Sequence, residues 1–426
     1  MSGLLRRHLR WGVVALLFAT AMLNSLDRMV MSILAPTLKA EFAFGDIEYS
    51  YIVVAFLAAY AIGYTFCGKV LDRVGVKAGM LAALVFWSVA GMGHAAAVGW
   101  LSLAAFRFLL GIGESFNSPG GVKAIAEWVP KRERGLSMAV FSNGNVLGSI
   151  VAPPLVAFLC LHFGWRWAFA VTGGLGIVLG LVWRARYHSP ESHPRITEEE
   201  KAEIAADRAA AGGTEKPKAS MLALMRDRRC VGFFVARLLT DPITYFFTFW
   251  LPSYLKAERG FTLAMIGALA WIPFLASDVG GPGGGALSDW LIRRGVPARR
   301  ARLTLMLLAA CCTPAALVAV RTESSAVALG CIALVLGAQS CWMANQLTLI
   351  SESVPRTQTA SLLALSALGG SIGGILVNLL AGRVIAAAGY VPVFTGIAFC
   401  HLAAFGVLTA CGRGRNEKNQ SGGVAW

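Results

Sequence analysis

Four ionisable side chains lie inside two long apolar stretches of this sequence. Asp27 and Arg28 are adjacent in the first stretch, and Arg107 and Glu114 are seven positions apart in the other. A charged side chain at the depth of a lipid bilayer costs between ~3 and ~15 kcal/mol, depending on whether it finds water or a partner. Residues seven apart on a helix share nearly one face, so Arg107 and Glu114 are expected to point into one cavity. We expect the four to line a water-accessible path for an anion and for protons.

The chemistry of these residue types suits such a path. Arginine stays protonated and presents a planar fork that matches a carboxylate. A low-dielectric cavity disfavours the charged form of Asp27 and Glu114, whereas a neighbouring arginine favours it. This competition allows both carboxylates to take up and release protons. Two structural alternatives stay open: an ion pair between Asp27 and Arg28 that ties bundle helices together, and a purely structural pair of Arg107 with Glu114.

The elements that must hold these residues are membrane-spanning helices. The chain has 426 residues, of which 56% are hydrophobic and 14% charged, with a mean hydropathy of +0.63, whereas soluble domains contain about 25% charged residues. About 20 apolar residues cross a ~30 Å hydrocarbon core. Twelve stretches of that kind are predicted: 11–38, 50–70, 76–97, 101–122, 136–160, 165–185, 229–256, 262–287, 303–321, 326–350, 358–383 and 390–411.

The basic residues predict the orientation of the chain. The net charge is +15, and most Lys and Arg residues fall on one side when alternate loops are assigned to one face. The positive-inside rule then places both termini in the cytoplasm, with the protein in the inner (plasma) membrane and no need for a nucleic-acid partner. The nine cysteines and six histidines show no metal-ligand spacing, and no catalytic signature is present. We expect no cofactor, no metal and no enzymatic activity.

The two halves of the chain repeat a short pattern. Gly68–Lys77 and Gly285–Arg294 each contain Gly-x-x-x-Asp followed by a basic residue, at the same place within their halves. Glycine permits close helix approach, and Asp accepts hydrogen bonds from helix N-termini or basic groups. The segment Gly369–Gly374 supplies two further small-xxx-small pairs for helix contact. The sequence predicts an N-terminal six-helix bundle over 1–185, a cytoplasmic linker over 186–228, and a C-terminal bundle with a cytoplasmic tail over 229–426.

Several motifs carry a resemblance to a known family. Gly68–Lys77 resembles the signature loop of the major facilitator superfamily, although Val76 stands where the family usually has Arg, and the Arg107-x-x-x-Gly111-x-Gly113 run resembles its fourth-helix motif. Asn24–Arg28, Glu114 and Ser189–Ile196 resemble the anion:cation symporter family. Stretches similar to hexuronate transporters are Leu239–Pro242 with Phe249–Pro252, Ser277–Gly280 leading to Arg293–Gly295, and Trp342–Asn345. The implied fold is an all-α membrane protein with twelve transmembrane helices in two pseudo-symmetric six-helix bundles.

The resemblance also implies roles for individual residues. Substrate would be contacted by Arg28, Tyr60 and Asn145 in the first half and by Gln339, Trp342 and Asn345 in the second. Asp27 and Glu114 would carry protons, Arg107 would pair with Glu114, and Gly68, Asp72, Arg73 and Asp289 would form the gating motifs. Tyr60 and Trp342 are equally compatible with packing roles. Ser25 and Gln339 differ from the residues usual in hexuronate transporters, which leaves a different organic anion open.

The functional expectation is a proton-coupled symporter that works as a monomer in the lipid bilayer. It would import a sugar-acid anion, a hexuronate such as galacturonate or glucuronate, by alternating access. The alternatives are a symporter of another carboxylate such as an aldonate or aromatic acid, an efflux antiporter, and a non-transporting membrane sensor. Arg237 and Asp241, at positions i and i+4, are interpreted as an intrahelical pair rather than a site.

Overall fold

The computed structural model of this protein describes residues 2–199, 201, 202, 204 and 224–412. Most of the predicted linker and the tail after Gly412 therefore lie outside the described residues. Within the described part of the chain, no residue is in a β-strand. The helices are α1 (Ser2–Phe42), α2 (Asp46–Gly93), α3 (Trp100–Glu114), α4 (Asn117–Trp128), α5 (Lys131–Phe163), α6 (Trp165–Arg186), α7 (Arg228–Arg259), α8 (Leu263–Leu269), α9 (Ile272–Arg293), α10 (Ala298–Cys312), α11 (Ala315–Arg321), α12 (Ser325–Ser353), α13 (Arg356–Ala388) and α14 (Val391–Gly412).

The length and hydropathy of these helices make the chain a multi-pass membrane protein. Ten helical segments among the described residues are long and apolar enough to cross a bilayer. One of them has 51 residues, or about 75 Å at 1.5 Å per residue, more than twice a hydrocarbon core. Its backbone breaks at Gly75, where φ is 78°. The consecutive helices α3 and α4, separated at Ser115 and Phe116, are not among the ten, so the count of twelve stays a prediction.

The described residues separate into two compact units. The first unit comprises the described residues of Met1–Thr214 together with Thr248–Trp271, and the second comprises those of Glu215–Phe247 and Ile272–Trp426. Helix α7 therefore contributes its first part to the second unit and its last part to the first. The predicted division of the chain at the linker 186–228 stays a prediction.

In the first unit, small residues bring α1 close to its neighbour α5. A Cβ added at Gly144 would collide with the carbonyl oxygen of Phe18, and one at Gly148 with that of Met22. The hydroxyls of Ser25 and Ser149 lie 2.8 Å apart across the same contact. This backbone-to-backbone packing fixes the part of α1 that carries Asp27 and Arg28.

In the second unit, the predicted glycine segment packs on the first part of α7. Cβ atoms at Gly369 and Gly373 would collide with the carbonyl oxygens of Phe234 and Leu238, respectively. A Cβ at Gly370 would collide with the carboxylate of Asp241. The expectation of a close helix contact at Gly369–Gly374 is confirmed, and the contact brings a glycine against an ionisable side chain.

Candidate functional site

The centre of the first unit is an ion pair between two helices. Arg28 on α1 donates from Nε (3.3 Å) and Nη2 (3.0 Å) to Oε2 of Glu114 at the end of α3. Nη2 of Arg28 also donates to Oδ1 of Asn24, one turn earlier, at 3.1 Å. The Glu114 side chain is fully buried, whereas the Arg28 side chain is 29% exposed. Arg28 is thus the accessible member of the pair and Glu114 the concealed one.

Arg107, expected to pair with Glu114, makes no direct hydrogen bond to it among the described residues. Its Nη2 donates instead to the backbone carbonyl of Arg28 at 2.7 Å, while its Nε and Nη1 are buried and have no hydrogen-bond partner. Arg107 and Glu114 still attract each other over a longer distance. The reason is geometric. The carboxylate of Glu114 is within hydrogen-bond distance of the Arg28 guanidinium, whereas the group within reach of the Arg107 guanidinium is the backbone carbonyl of Arg28.

Asp27 lies beside this pair without joining it. Both of its carboxylate oxygens are buried and accept no hydrogen bond within 3.5 Å. Glu114 and Arg107 act on it electrostatically. Since Arg28 is engaged by Glu114 and Asn24, the alternative of a structural Asp27–Arg28 ion pair is not what the structure contains. Asp27 is a buried carboxylate with no ion-pair partner among the described residues.

Two aromatic rings from α2 face the guanidinium of Arg28. The Cζ atom of Arg28 lies 5.3 Å from the ring centroid of Phe56 and 5.3 Å from that of Tyr60. Phe56 also faces Arg107, whose Cζ atom is 5.1 Å from the ring centroid. Cation–π contacts of this kind stabilise a charge away from bulk water. The structure therefore brings the predicted residue Tyr60 to Arg28 and adds Phe56, which sequence reasoning missed because phenylalanine in a membrane span carries no distinguishing signal.

Asn145 on α5 is not drawn into the charged cluster by any hydrogen bond. The residue is exposed, and its Nδ2 lies 3.5 Å from the carbonyl oxygen of Ser142 on its own helix. Its backbone carbonyl accepts from Ser149, the residue that meets Ser25 on α1.

Two of the predicted residues in the second unit are buried amides with unused hydrogen-bonding groups. Within the described residues, neither Nε2 nor Oε1 of Gln339 has a hydrogen-bond partner, and Oδ1 of Asn345 has none. Nδ2 of Asn345 donates to the carbonyl of Cys341 at 2.9 Å. Buried polar atoms without partners are uncommon and call for an explanation such as a ligand or water.

Trp342 lies on α12 between these amides but inside the apolar core. Its side chain is fully buried among residues such as Met306 and Leu349. The indole Nε1 donates to Oε1 of Gln346 at 2.9 Å, and the ring meets His401 edge-on at 5.0 Å. This environment favours the packing alternative over a platform for a sugar ring.

The two signature loops are anchored by basic residues that sequence reasoning did not single out. Nζ of Lys123 on α4 donates to Oδ1 of Asp72 at 2.6 Å and to the carbonyl of Leu71 at 2.9 Å. The Asp72 side chain is 73% exposed, and Gly68 and Arg73 are exposed as well. The repeated Asp72 and Asp289 were visible in the sequence, but their partners were not, because Lys123 is 51 positions from Asp72 whereas Arg302 is 13 positions from Asp289.

The second loop has the same design with deeper burial. Nη1 of Arg302 on α10 donates to Oδ1 of Asp289 at 3.1 Å and to the hydroxyl of Ser288 at 2.5 Å. Its Nη2 donates to Oε1 of Glu352 at 3.3 Å. Arg302 is 9% exposed, so its nearly buried guanidinium on α10 connects the second motif, at the end of α9, to Glu352 on α12.

A cavity of about 340 Å³ lies next to the first signature loop. The hydroxyl of Tyr187 donates there to Oε2 of Glu127 at 3.2 Å, and burial together with nearby carboxylates raises the pKa of Tyr187. His193 packs edge-on against Trp128 at 5.3 Å. Burial, followed by the charges of His188, Arg195 and Lys77, lowers the pKa of His193.

Comparison with known proteins decides the family. The family model of the Major Facilitator Superfamily matches residues 17–418. The chain belongs to the Major Facilitator Superfamily. It is therefore a membrane transporter and not an enzyme. Among the described residues, no group of three or more His, Cys, Asp or Glu side chains is arranged to hold a metal ion.

Several curated relatives transport sugar acids. The transporter is 33% identical over 277 residues to a galacturonate transporter of Dickeya chrysanthemi, covering 64% of this chain and 80% of that protein. It is 33% identical over 275 residues to the hexuronate transporter of Escherichia coli K12, covering 64% of each. A probable galactarate/D-glucarate transporter of Bacillus subtilis is 31% identical over 305 residues, covering 68% of this chain and 67% of that protein.

Solved structures share the fold of this transporter. A bacterial homologue of the human lysosomal transporter Spinster, in an inward-facing and occupied conformation, superimposes with a TM-score of 0.72 at 16% identity, covering 94% of this chain and 95% of that one. The D-xylose–proton symporter gives a TM-score of 0.71 at 16% identity, covering 94% and 96%. At these identities the likeness concerns the fold alone.

Proposed function

We propose that this transporter is a proton-coupled symporter that imports a sugar-acid anion, with hexuronates such as galacturonate and glucuronate first. The observation that carries the proposal is the partly accessible guanidinium of Arg28, held by the buried carboxylate of Glu114 and facing the rings of Phe56 and Tyr60. Relatives named as galacturonate and hexuronate transporters support the choice of substrate class.

The two arginines of the first unit take different roles. Arg28 retains solvent access and two aromatic faces, so its planar fork is suited to dock a carboxylate. Arg107 is buried and spends one donor on the backbone carbonyl of Arg28. Arg107 therefore positions α1 and supplies a fixed positive charge beside Asp27 and Glu114, rather than binding substrate itself.

Coupling follows from competition for Arg28. While Glu114 is ionised, its Oε2 occupies the donors that a substrate carboxylate needs. A proton on Glu114 removes the charge that holds Arg28 and frees the guanidinium for the anion. Loss of the proton restores the ion pair and displaces the anion. Asp27, buried with no ion-pair partner among the described residues, is proposed as the second proton carrier.

The remaining predicted residues complete the proposal. Gln339 and Asn345 have unused amide groups that suit sugar hydroxyls, Asn145 offers an exposed amide, and Trp342 supports α12 from the core. Gly68, Asp72, Arg73 and Asp289 are proposed as gating elements. We propose alternating access by a monomer in the inner membrane, with both termini cytoplasmic and with bundles over 1–185 and 229–426 joined by the linker 186–228.

Uptake by purified protein in proteoliposomes tests the coupling. Asp27→Asn and Glu114→Gln should each abolish accumulation driven by a pH gradient while leaving counterflow exchange of the anion. Glu198→Gln, which removes one side of an exposed Lys201 pair, is the matched carboxylate control and should behave as wild type. Accumulation that persists in both buried variants would show that the coupling residues lie elsewhere.

The same preparation distinguishes the substrate alternatives. A panel of uronates, aldarates, aldonates and aromatic acids is used because relatives include galactarate/D-glucarate transporters and a probable L-galactonate transporter. Preference for a uronate supports the proposal. Preference for an aldonate or an aromatic acid would indicate a symporter of another carboxylate. Export against the proton gradient would indicate an antiporter, and the absence of flux with any acid would indicate a sensor.

A further inference from the structure

The second unit contains an ion pair in the middle of a membrane span that the proposed function does not use. Arg237 and Asp241 lie one turn apart on α7, and Nε (2.9 Å) and Nη2 (2.5 Å) of Arg237 both donate to Oδ2 of Asp241. The other oxygen of the carboxylate, Oδ1, is buried and accepts no hydrogen bond from the part of the chain that the structure describes. The Arg237 side chain is 15% exposed. Both hydrogen bonds from Arg237 therefore go to Oδ2 of Asp241, and Oδ1 keeps its capacity to accept a proton.

The neighbouring helix provides no second partner for this carboxylate. Gly370 on α13 faces Asp241, and a Cβ at that position would collide with Oδ2. Gly369 and Gly373 on the same helix meet backbone carbonyls of α7. Among the described residues, Arg237 is the charged group that acts on Asp241. Arg237 alone therefore balances the charge of Asp241.

A structural role does not account well for this pair. Buried ion pairs seldom add net stability, because the cost of removing both charges from water offsets their attraction. Arg237 and Asp241 lie on one helix, so their bond ties no two helices together. An ionisable residue inside the membrane is by default a candidate for a proton or ion pathway.

We propose that Asp241 is a further proton-coupling residue of this transporter. When Asp241 is protonated, the positive charge of Arg237 is no longer neutralised. The inference rests on the proposed function, since it adds a proton site to the same symport reaction. A proton binds to the unoccupied Oδ1 of Asp241, an O–H bond forms there, and the negative charge of the carboxylate is lost. The pair changes from neutral to singly positive without a change in helix packing. The uncovered charge favours anion loading, and departure of the proton cancels it.

The number of protons taken up per anion bound tests this assignment without requiring transport. Isothermal titration of purified full-length protein with galacturonate, glucuronate or galactarate, in buffers of different ionisation enthalpy, gives that number directly. Asp241→Asn should bind the anion with about one proton fewer than wild type, and its plot of log Kd against pH should be shallower by up to about one. Glu198→Gln, at the exposed Lys201 pair, should leave both quantities unchanged.

The double variant Arg237→Gln/Asp241→Asn separates coupling from structure. The double variant leaves no unpaired charge in the span, so we expect it to fold even where Asp241→Asn alone does not. It too should bind the anion with one proton fewer than wild type. A wild-type proton count in either variant overturns the inference and leaves the proposed function standing. A wild-type protein that binds none of the three probes, or that binds without proton uptake, overturns both together.

Discussion

The two units of this transporter hold their buried charges in different ways. In the first unit, the carboxylate of Glu114 on α3 reaches across to Arg28 on α1. In the second unit, Asp241 is bound by Arg237 one turn away on the same helix. A bond between two helices is altered when either helix moves or when the acid is protonated, whereas a bond within one helix responds to protonation alone. Under the proposed function, the first unit would therefore couple protons to helix motion as well as to charge.

The cations that bind the two repeated motifs differ in burial between the units. Lys123 and Asp72 of the first unit meet at an exposed site, whereas Arg302 of the second unit is nearly buried between Asp289 and Glu352. In both units the Asp of the repeated motif pairs with a basic residue, but we expect the two pairs to contribute differently to folding stability. Exposed pairs contribute little to stability and buried ones are costly to break.

The largest expected effect is on substrate uptake. Arg28→Gln removes the accessible donor fork and should lower uptake of the preferred sugar acid about 100-fold, since charge-assisted hydrogen bonds contribute about 1.5–3 kcal/mol. Arg237→Gln should lower it less than about tenfold, because Arg237 bonds to Asp241 on its own helix and is not the donor proposed to dock the substrate carboxylate. Arg166→Gln, on an exposed pair with Glu41, is the control. Equal losses of uptake in Arg28→Gln and Arg237→Gln would remove the distinction between the units.

The loop anchors should differ in their effect on folding stability. Arg302→Gln removes the cation that Asp289 and Glu352 share. Since both carboxylates are partly exposed, the lost charge-assisted hydrogen bonds should lower the free energy of unfolding by about 1.5 kcal/mol. Lys123→Gln should lower it by less than about 1 kcal/mol. Thermal unfolding in detergent measures both. A larger effect at Lys123 would contradict the ranking by burial.

The glycine contacts provide a comparison in which both units should behave alike. Gly148→Val in the first unit and Gly373→Val in the second would each place side-chain atoms against a backbone carbonyl, and overpacking of this kind costs about 1–3 kcal/mol. Gly174→Val and Gly283→Val, at positions with nothing within 4 Å of an added Cβ, are the matched controls. If Gly148→Val or Gly373→Val left the midpoint of thermal unfolding unchanged, the helices at that contact would be able to move apart without loss of stability.

The smallest expected effect concerns the segment after α6. The pKa of His193 is lowered from 6.5 by burial and by neighbouring positive charge, so the undocked segment binds protons more readily than the docked one. Docking against Trp128 is then fully stable above pH 6.5 and weakens as the pH falls below it. Hydrogen exchange of residues 187–196 at pH 8 and 5.5 measures this. His193→Gln should abolish the difference between the two pH values.

Sequence reasoning identified the charged residues of the first unit but not their pairing. Asp27, Arg28, Arg107 and Glu114 stand out because ionisable residues are rare in apolar runs. The spacing of Arg107 and Glu114 placed them on one face of a helix, yet the partner of Glu114 is Arg28, 86 positions away. Helical periodicity describes one helix at a time, so it cannot decide which of two arginines a carboxylate meets across a helix contact.

The fold class, the family and the membrane setting followed from the sequence by itself, because bilayer thickness imposes a length and a hydropathy that are readable residue by residue. Tertiary structure decided what side chains from different helices do to one another. It placed Trp342 in the core, brought Lys123 and Arg302 to the repeated loops, and set Gly370 against Asp241. These contacts depend on the rotation and depth of each helix in its bundle, which packing of the whole unit determines and no local pattern encodes.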